Sequence, residues 1–204
     1  MVKILFLFLL AYLVGSIPSG VWIGKLFYKK DIRKSGSGNS GATNTFRVLG
    51  KKAGFAVAIL DILKGTLAAS LPILFNVPVS MVIIGAAAII GHTYPVFAEF
   101  KGGKAVATSA GVALAYNPVF LLSALLLFFV ILYVSSMVSL ASVLTFLLAS
   151  VAVLWIDDWY FRIFVWGITS LIVYRHLSNI QRILDGTENK TPFGLGKKKP
   201  TTKK

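Results

Sequence analysis

Residues 34–47 read Lys-Ser-Gly-Ser-Gly-Asn-Ser-Gly-Ala-Thr-Asn-Thr-Phe-Arg, a polar stretch in a mostly apolar chain. Gly36, Gly38 and Gly41 allow backbone conformations that other residues resist, so successive N–H groups can turn toward one anion. Ser35, Ser37, Asn39, Thr43 and Asn44 add side-chain donors, and Arg47 adds a planar fork suited to phosphate. The chemistry this points to is capture of a phosphate. Two familiar patterns nearly fit and fail. Gly36 to Gly41 spells G-x-G-x-x-G, but a dinucleotide fingerprint follows a strand and opens a βαβ unit, whereas these flanks are apolar helices. Gly36 to Thr43 has P-loop spacing, yet Ala42 stands where that loop needs lysine. A flexible Gly/Ser linker is the plain alternative, but two asparagines, an arginine and no proline or acid suit an anion site better.

Two further segments carry similar chemistry. In residues 99–104, Gly102 and Gly103 let backbone approach an anion between Lys101 and Lys104, at the start of a helix. A tight turn with snorkelling lysines is the plain reading of the same residues. In residues 174–190, a continuous helix would put Arg175, Asn179 and Arg182 on one face at i, i+4 and i+7, with His176 about a turn from Asn179. A snorkelling basic helix end is the alternative there. His92 and His176 are the only histidines, and both fall near one membrane level. A histidine so placed can act as general base near neutral pH, and His92 serves equally well as an orienting or packing residue.

The elements that must position these groups are membrane helices. The chain has 204 residues, 56% of them hydrophobic, with a mean hydropathy of +0.80. That composition predicts an all-α polytopic bundle. Apolar runs fall at about 4–27, 53–75, 79–97, 105–116, 119–134, 138–155 and 159–176. They predict seven transmembrane helices, or five if 105–134 forms one unit. Ser16 to Gly20, with Pro18, predicts a kink in the first. Asp61 and Lys64 share a face of the second at i, i+3 and are expected to pair there, and Ser139, Ser142 and Thr145 lie on the sixth. Residues 1–190 form one membrane domain, and 191–204 a basic, flexible tail lying on anionic lipid.

All but Lys3, Lys64 and Arg162 of the 21 lysines and arginines fall on one side of this topology. The positive-inside rule therefore puts the N-terminus outside and the C-terminus in the cytoplasm. Residues 34–47, 99–104 and 174–190 then meet at the cytoplasmic face. The net charge of +14 fits anionic lipid and anionic substrate rather than nucleic acid. Cysteine is absent, which excludes disulfides and a thiol nucleophile, and the seven acidic residues are too scattered for a metal cluster.

In order along the chain, three motifs resemble the bacterial membrane acyltransferase family that acylates glycerol 3-phosphate from acyl phosphate. They are Ser37 to Asn44 with Arg47, then Gly91 to Phe97 with Phe100 to Lys104, then Arg175 to Arg182 with Gly186 and Glu188. Ala105 departs from the glycine of that pattern. The resemblance implies an early committed step of phospholipid synthesis in the bacterial cytoplasmic (inner) membrane, yielding 1-acylglycerol 3-phosphate and phosphate. It implies catalytic roles for Ser37, Arg47, His176 and Asn179, and glycerol 3-phosphate binding at Gly102 and Gly103. Glu188 would hold the cytoplasmic structure together, with His92 and Ser142 as supporting residues. Acyl phosphate, glycerol 3-phosphate and membrane lipids are the implied partners. No cofactor, nucleic acid or obligate protein partner is implied. A transporter or flippase for an anionic phosphate compound is the main rival, but it predicts charge through the whole membrane depth and repeat symmetry.

Overall fold

The computed structural model describes residues 1–197, and every regular element among them is helical. The chain divides into two compact units, Met1–Pro118 and the part from Val119 on.

The first unit begins with α1 (Val2–Gly15) and α2 (Ser19–Tyr28), which meet at a 41° bend. Pro18 has no N–H to continue the helical ladder, so the expected kink falls at it. A loop leads to α3 (Ala42–Leu49), and Gly50 separates it from the long α4 (Lys51–Leu74). Next come α5 (Met81–Thr93) and the short α6 (Val106–Tyr116). Helix α4 packs against α1, α5 and α6. Lipid gives helices no hydrophobic reason to associate, so close backbone approach through small residues matters more. Gly65 and Gly111 supply it: a Cβ at either would strike a carbonyl of the other helix, Thr108 or Ile62 respectively. Leu7, Ala11, Ala68, Leu71, Ile84 and Ala88 form the buried apolar core, while Leu5, Phe55, Leu63 and Ile73 are exposed, as lipid-facing side chains are.

The second unit holds α7 (Pro118–Ser135), α8 (Val138–Ala152), α9 (Trp159–Arg175) and α10 (Leu177–Leu184). Asp158 caps α9 by accepting from the Phe161 N–H at 2.9 Å. The helix expected to run through residues 175–182 is broken. It ends at Arg175, His176 takes φ −107° and ψ 4°, and a separate amphipathic α10 begins at Leu177. Arg175 therefore does not share a helix face with Asn179 and Arg182. The expectation of a loose tail also fails for its first residues. Thr191 Oγ1 donates to the Ser136 carbonyl, Ser136 Oγ to the Phe193 carbonyl, and Leu195 N–H to the Tyr133 carbonyl. The Tyr133 and Ser136 carbonyls are left without helical partners where α7 ends, and the tail satisfies them. The remainder of the expected tail, beyond 197, lies outside the described residues.

Four helical stretches among the described residues are long and apolar enough to cross a membrane: Lys51–Leu74, Met81–Ala98, Pro118–Ser135 and Val138–Trp155. Taken as one broken span, the bent pair α1–α2 brings the number to five. Helix α6, with 11 residues, reaches only about 16 Å at 1.5 Å per residue. Helix α9, with 17 residues, reaches about 26 Å at the same rise. The chain is thus a multi-pass membrane protein.

Candidate active site

Within the first unit, residues 31–47 fold into a compact loop around one buried side chain. Asn44, 1% exposed, accepts the Ser37 N–H on Oδ1 at 2.8 Å. Its Nδ2 donates to the carbonyls of Ile32 (2.9 Å), Ser35 (3.1 Å) and Asn39 (2.8 Å). Asn39 makes a smaller turn of its own, accepting the Gly41 N–H at 2.9 Å. Gly36 and Gly38 have φ of +64° and +73°, a region that disfavours any Cβ, and a Cβ at Gly36 would also strike Asn44 Oδ1. Asn44 was expected among the anion ligands; its amide is instead occupied in shaping the loop. Ser37, Gly38, Thr43 and Arg47 are exposed on that frame, Ser35 and Asn39 are half-buried, and no side chain caps the start of α3. The first helix-start N–H groups of α3 therefore have no side-chain cap, and the Arg47 stem lies near Gly36.

Arg33 joins this loop to the second one. It grips Asp31 through Nε (3.1 Å) and Nη2 (2.8 Å) and donates from Nη1 to the Ala98 carbonyl at 3.2 Å. The hydrogen bond from Arg33 lowers the Asp31 carboxyl from an ordinary 3.8 to about 2 and raises the guanidinium in turn. Beyond Ala98, Glu99, Phe100 and Ala105 all have left-handed backbone, with φ of +57°, +58° and +63°. Strain of this kind persists only where the surroundings enforce it, and it clusters at ligand loops. The enforcing contact is visible. Gly103 N–H donates to the His92 carbonyl at 3.1 Å, and a Cβ on Gly102 or Gly103 would strike His92. Gly102 and Gly103 are buried, Lys104 is half-buried, and Lys101 points outward to an exposed pairing with Glu99 at 3.7 Å.

Beneath that loop lies a polar cluster. Asp61 Oδ1 receives the Ser19 hydroxyl at 3.0 Å and Lys64 Nζ at 2.8 Å, and it stands 3.7 Å from His92 Nδ1. Lys64 also donates to the Ile17 carbonyl at 2.9 Å, a group freed at the α1–α2 break. The expected Asp61–Lys64 pair is present, and Ser19 and His92 are additions that sequence spacing did not reveal.

In the second unit, His176 is 3% exposed and its Nδ1 lies 2.8 Å from the Ile172 carbonyl. A carbonyl only accepts, so Nδ1 carries a proton and donates it to Ile172. Asn179 donates to Glu188 Oε1 at 2.8 Å, Ser139 donates to the same oxygen at 2.9 Å, and Arg182 Nε donates to Oε2 at 2.8 Å. Burial alone would raise the Glu188 carboxyl, but the bonds from Asn179, Ser139 and Arg182 outweigh it and hold it below its ordinary value. Ser142, expected as a supporting residue, instead bonds back to the Val138 carbonyl of its own helix at 2.9 Å. Its neighbour one turn earlier, Ser139, is the partner of Glu188. Arg175 stands half-buried at the end of α9.

An all-helical membrane protein with paired glycine loops, exposed cations and a buried histidine belongs to the class of membrane enzymes that handle phosphate compounds. A family model described as glycerol-3-phosphate acyltransferase matches residues 5–186. The chain is 54% identical to the glycerol-3-phosphate acyltransferase of Enterococcus faecalis, covering 97% of this chain and 96% of that one. It is 51% identical to that of Streptococcus pneumoniae, with 93% of each covered. Among solved structures it resembles PlsY, an integral membrane glycerol 3-phosphate acyltransferase. In the glycerol 3-phosphate form the TM-score is 0.86 at 40% identity, over 92% of this chain and 94% of that one. In the lysophosphatidic acid form the TM-score is 0.83 at 41% identity, over 91% and 94%. The chain belongs to the glycerol-3-phosphate acyltransferase family.

Proposed function

We propose that this protein transfers a fatty acyl group from an acyl phosphate to the 1-hydroxyl of glycerol 3-phosphate, an early committed step of phospholipid synthesis. The observation that carries the reading is the pair of glycine loops, 34–47 and 99–104, tied together by Arg33 and flanked by Arg47 and Lys104. Two phosphate-bearing substrates call for two such anion sites. The forms of PlsY named for glycerol 3-phosphate and lysophosphatidic acid are those expected for one substrate and the product.

An acyl phosphate is a mixed anhydride, so its carbonyl carbon is already activated. The glycerol oxygen attacks that carbon, the bond from the carbon to the phosphate oxygen breaks, and phosphate leaves with the electron pair. No protein nucleophile is required, in keeping with a chain that has no cysteine. The protein must neutralise phosphate charge, align the reactants and receive the hydroxyl proton. We assign charge and backbone donors to Ser35, Ser37, Gly38, Asn39, Thr43 and Arg47 in the first loop. Gly102, Gly103 and Lys104 hold the glycerol 3-phosphate phosphate, and Lys101 and Arg175 add positive charge. His176 Nε2 receives the proton, and Asn179, held by Glu188, keeps its own segment in place. In this reading the protein crosses the bacterial cytoplasmic membrane seven times, counting α6 and α9, with the N-terminus outside and the active face in the cytoplasm.

Phosphate release from palmitoyl phosphate by purified protein in detergent or lipid cubic phase tests the activity, with acyl-CoA and acyl carrier protein as alternative donors. Release dependent on both substrates is expected. No release from any acyl phosphate by folded protein refutes the reading. His176→Ala and Arg47→Ala are each expected to abolish turnover with the fold intact, and unchanged turnover removes the residue concerned from the site.

A further inference from the structure

We infer that Asp61 and His92 are positioning residues that set the affinity for glycerol 3-phosphate through the Gly102–Lys104 loop; the inference rests on the activity proposed above.

The starting point is that Asp61 has more partners than an ion pair needs. A buried carboxylate in a membrane helix is costly unless matched, and Lys64 at 2.8 Å already matches its charge. Yet the same Oδ1 also receives Ser19 from α2 and faces His92 Nδ1 from α5 at 3.7 Å. Groups from α2, α4 and α5 therefore converge on one oxygen. All are at least nine-tenths buried: Ser19 is 5% exposed, Asp61 2%, Lys64 6% and His92 7%. With Asp61 at one edge and Gly103 at the other, the buried imidazole has little room to turn.

The opposite edge of that ring is where the loop rests. A Cβ on Gly103 would overlap His92 Nε2, and one on Gly102 would overlap the carbonyls of His92 and Thr93. The Gly103 N–H is bonded to the His92 carbonyl as well. Main chain and ring of one residue thus form the floor on which both glycines lie, and Lys104 follows immediately. A rotated or shrunken side chain at position 92 lets the glycines settle differently and moves the N–H groups and the lysine together. Displacements of about 1 Å in a positioning element are enough to cost a hundredfold in function.

A purely structural role would read differently. Loss of helix–helix glue lowers the amount of folded protein and its thermal midpoint, but the surviving molecules keep their KM. The experiment therefore measures KM and kcat for both substrates by phosphate release, using the full-length chain in detergent. The variants are His92→Gln, Asp61→Asn and the charge-neutral double variant Asp61→Asn with Lys64→Met. The expected result is a rise in KM for glycerol 3-phosphate on the order of tenfold to a hundredfold, with acyl phosphate KM and kcat within about threefold of wild type. His92→Ala is expected to exceed His92→Gln, which keeps an amide near the ring position. Should Asp61→Asn fail to fold around an unpaired lysine, the double variant and His92→Gln decide the matter, since neither leaves a lone charge. Unchanged glycerol 3-phosphate KM in these two, or a change confined to acyl phosphate, overturns the inference. Wild-type protein serves as the control that separates the two ideas: if it lacks turnover the activity is wrong, whereas active wild type with unaltered variants refutes positioning alone.

Discussion

Replacing Asn44 by aspartate changes a single NH2 group to oxygen at the centre of the first loop. The side chain is 1% exposed and its Nδ2 faces three carbonyl oxygens, at 2.9, 3.1 and 2.8 Å. Two amide hydrogens serve those three acceptors, so about two full hydrogen bonds are lost, each worth roughly 1 kcal/mol net. The larger cost is that a carboxylate then faces carbonyls with no donor between them, and each stranded buried acceptor costs about 1–3 kcal/mol. The surviving bond from Ser37 N–H to Oδ1 becomes charge-assisted and returns about 1 kcal/mol. With each of the three carbonyls taken at the low end, the loss is about 4 kcal/mol or more for Asn44→Asp. Asn44→Ala loses those bonds and the one from Ser37 N–H as well but sets no charge against the carbonyls, for about 3 kcal/mol. The aspartate variant, though isosteric, is therefore expected to be the worse of the two. Thermal unfolding in detergent and phosphate release on the same samples make the measurement. Both thermal midpoint and turnover should fall in the order wild type, alanine, aspartate. An aspartate variant with wild-type midpoint and turnover refutes the argument that this side chain builds the loop. A folded alanine variant in which only a substrate KM rises shows Asn44 to be a direct phosphate ligand instead.

Ala105 holds φ +63° where a glycine is free of strain, so Ala105→Gly is expected to raise stability by up to about 1 kcal/mol, read as a higher thermal midpoint. A lower midpoint would show that the methyl group's packing outweighs its backbone strain. Glu188→Gln keeps the shape but sets an NH2 against the donors of Asn179, Ser139 or Arg182; a loss of about 1–3 kcal/mol with reduced turnover is expected. Acid sensitivity follows from Asp31. Its folded value of about 2 lies below the ordinary 3.8, so its contribution is complete above about pH 4 and is lost as pH falls toward 2. Asp31→Asn is expected to remove that part of the acid-side loss, seen in unfolding midpoints across pH 2–5, and an unaltered profile counts against the Asp31–Arg33 clasp.

Much of this protein is decided locally. Hydropathy and length place α4, α5, α7 and α8, because a membrane requires each helix to be apolar over its own length and to satisfy its own backbone. Pro18 alone sets the bend between α1 and α2. Glycine spacing with flanking cations marks both glycine loops, and the order of the three motifs identifies the family. What tertiary structure decided is which polar atoms meet. Asn44 and Asn39 look alike as donors in the sequence, yet only Asn44 projects from α3 back into the loop and becomes its frame. Ser139 and Ser142 sit one turn apart on α8, and Glu188, 49 residues beyond Ser139, selects the first. Arg33 finds Ala98 across 65 residues, and Asp61 finds Ser19 across 42. The break at His176 is equally non-local in its consequences, since it frees α10 to turn Asn179 and Arg182 toward Glu188. Helix formation depends on neighbours in sequence and on the lipid around them. A hydrogen bond depends on a few tenths of an ångström between groups whose separation is fixed only when the helices have packed.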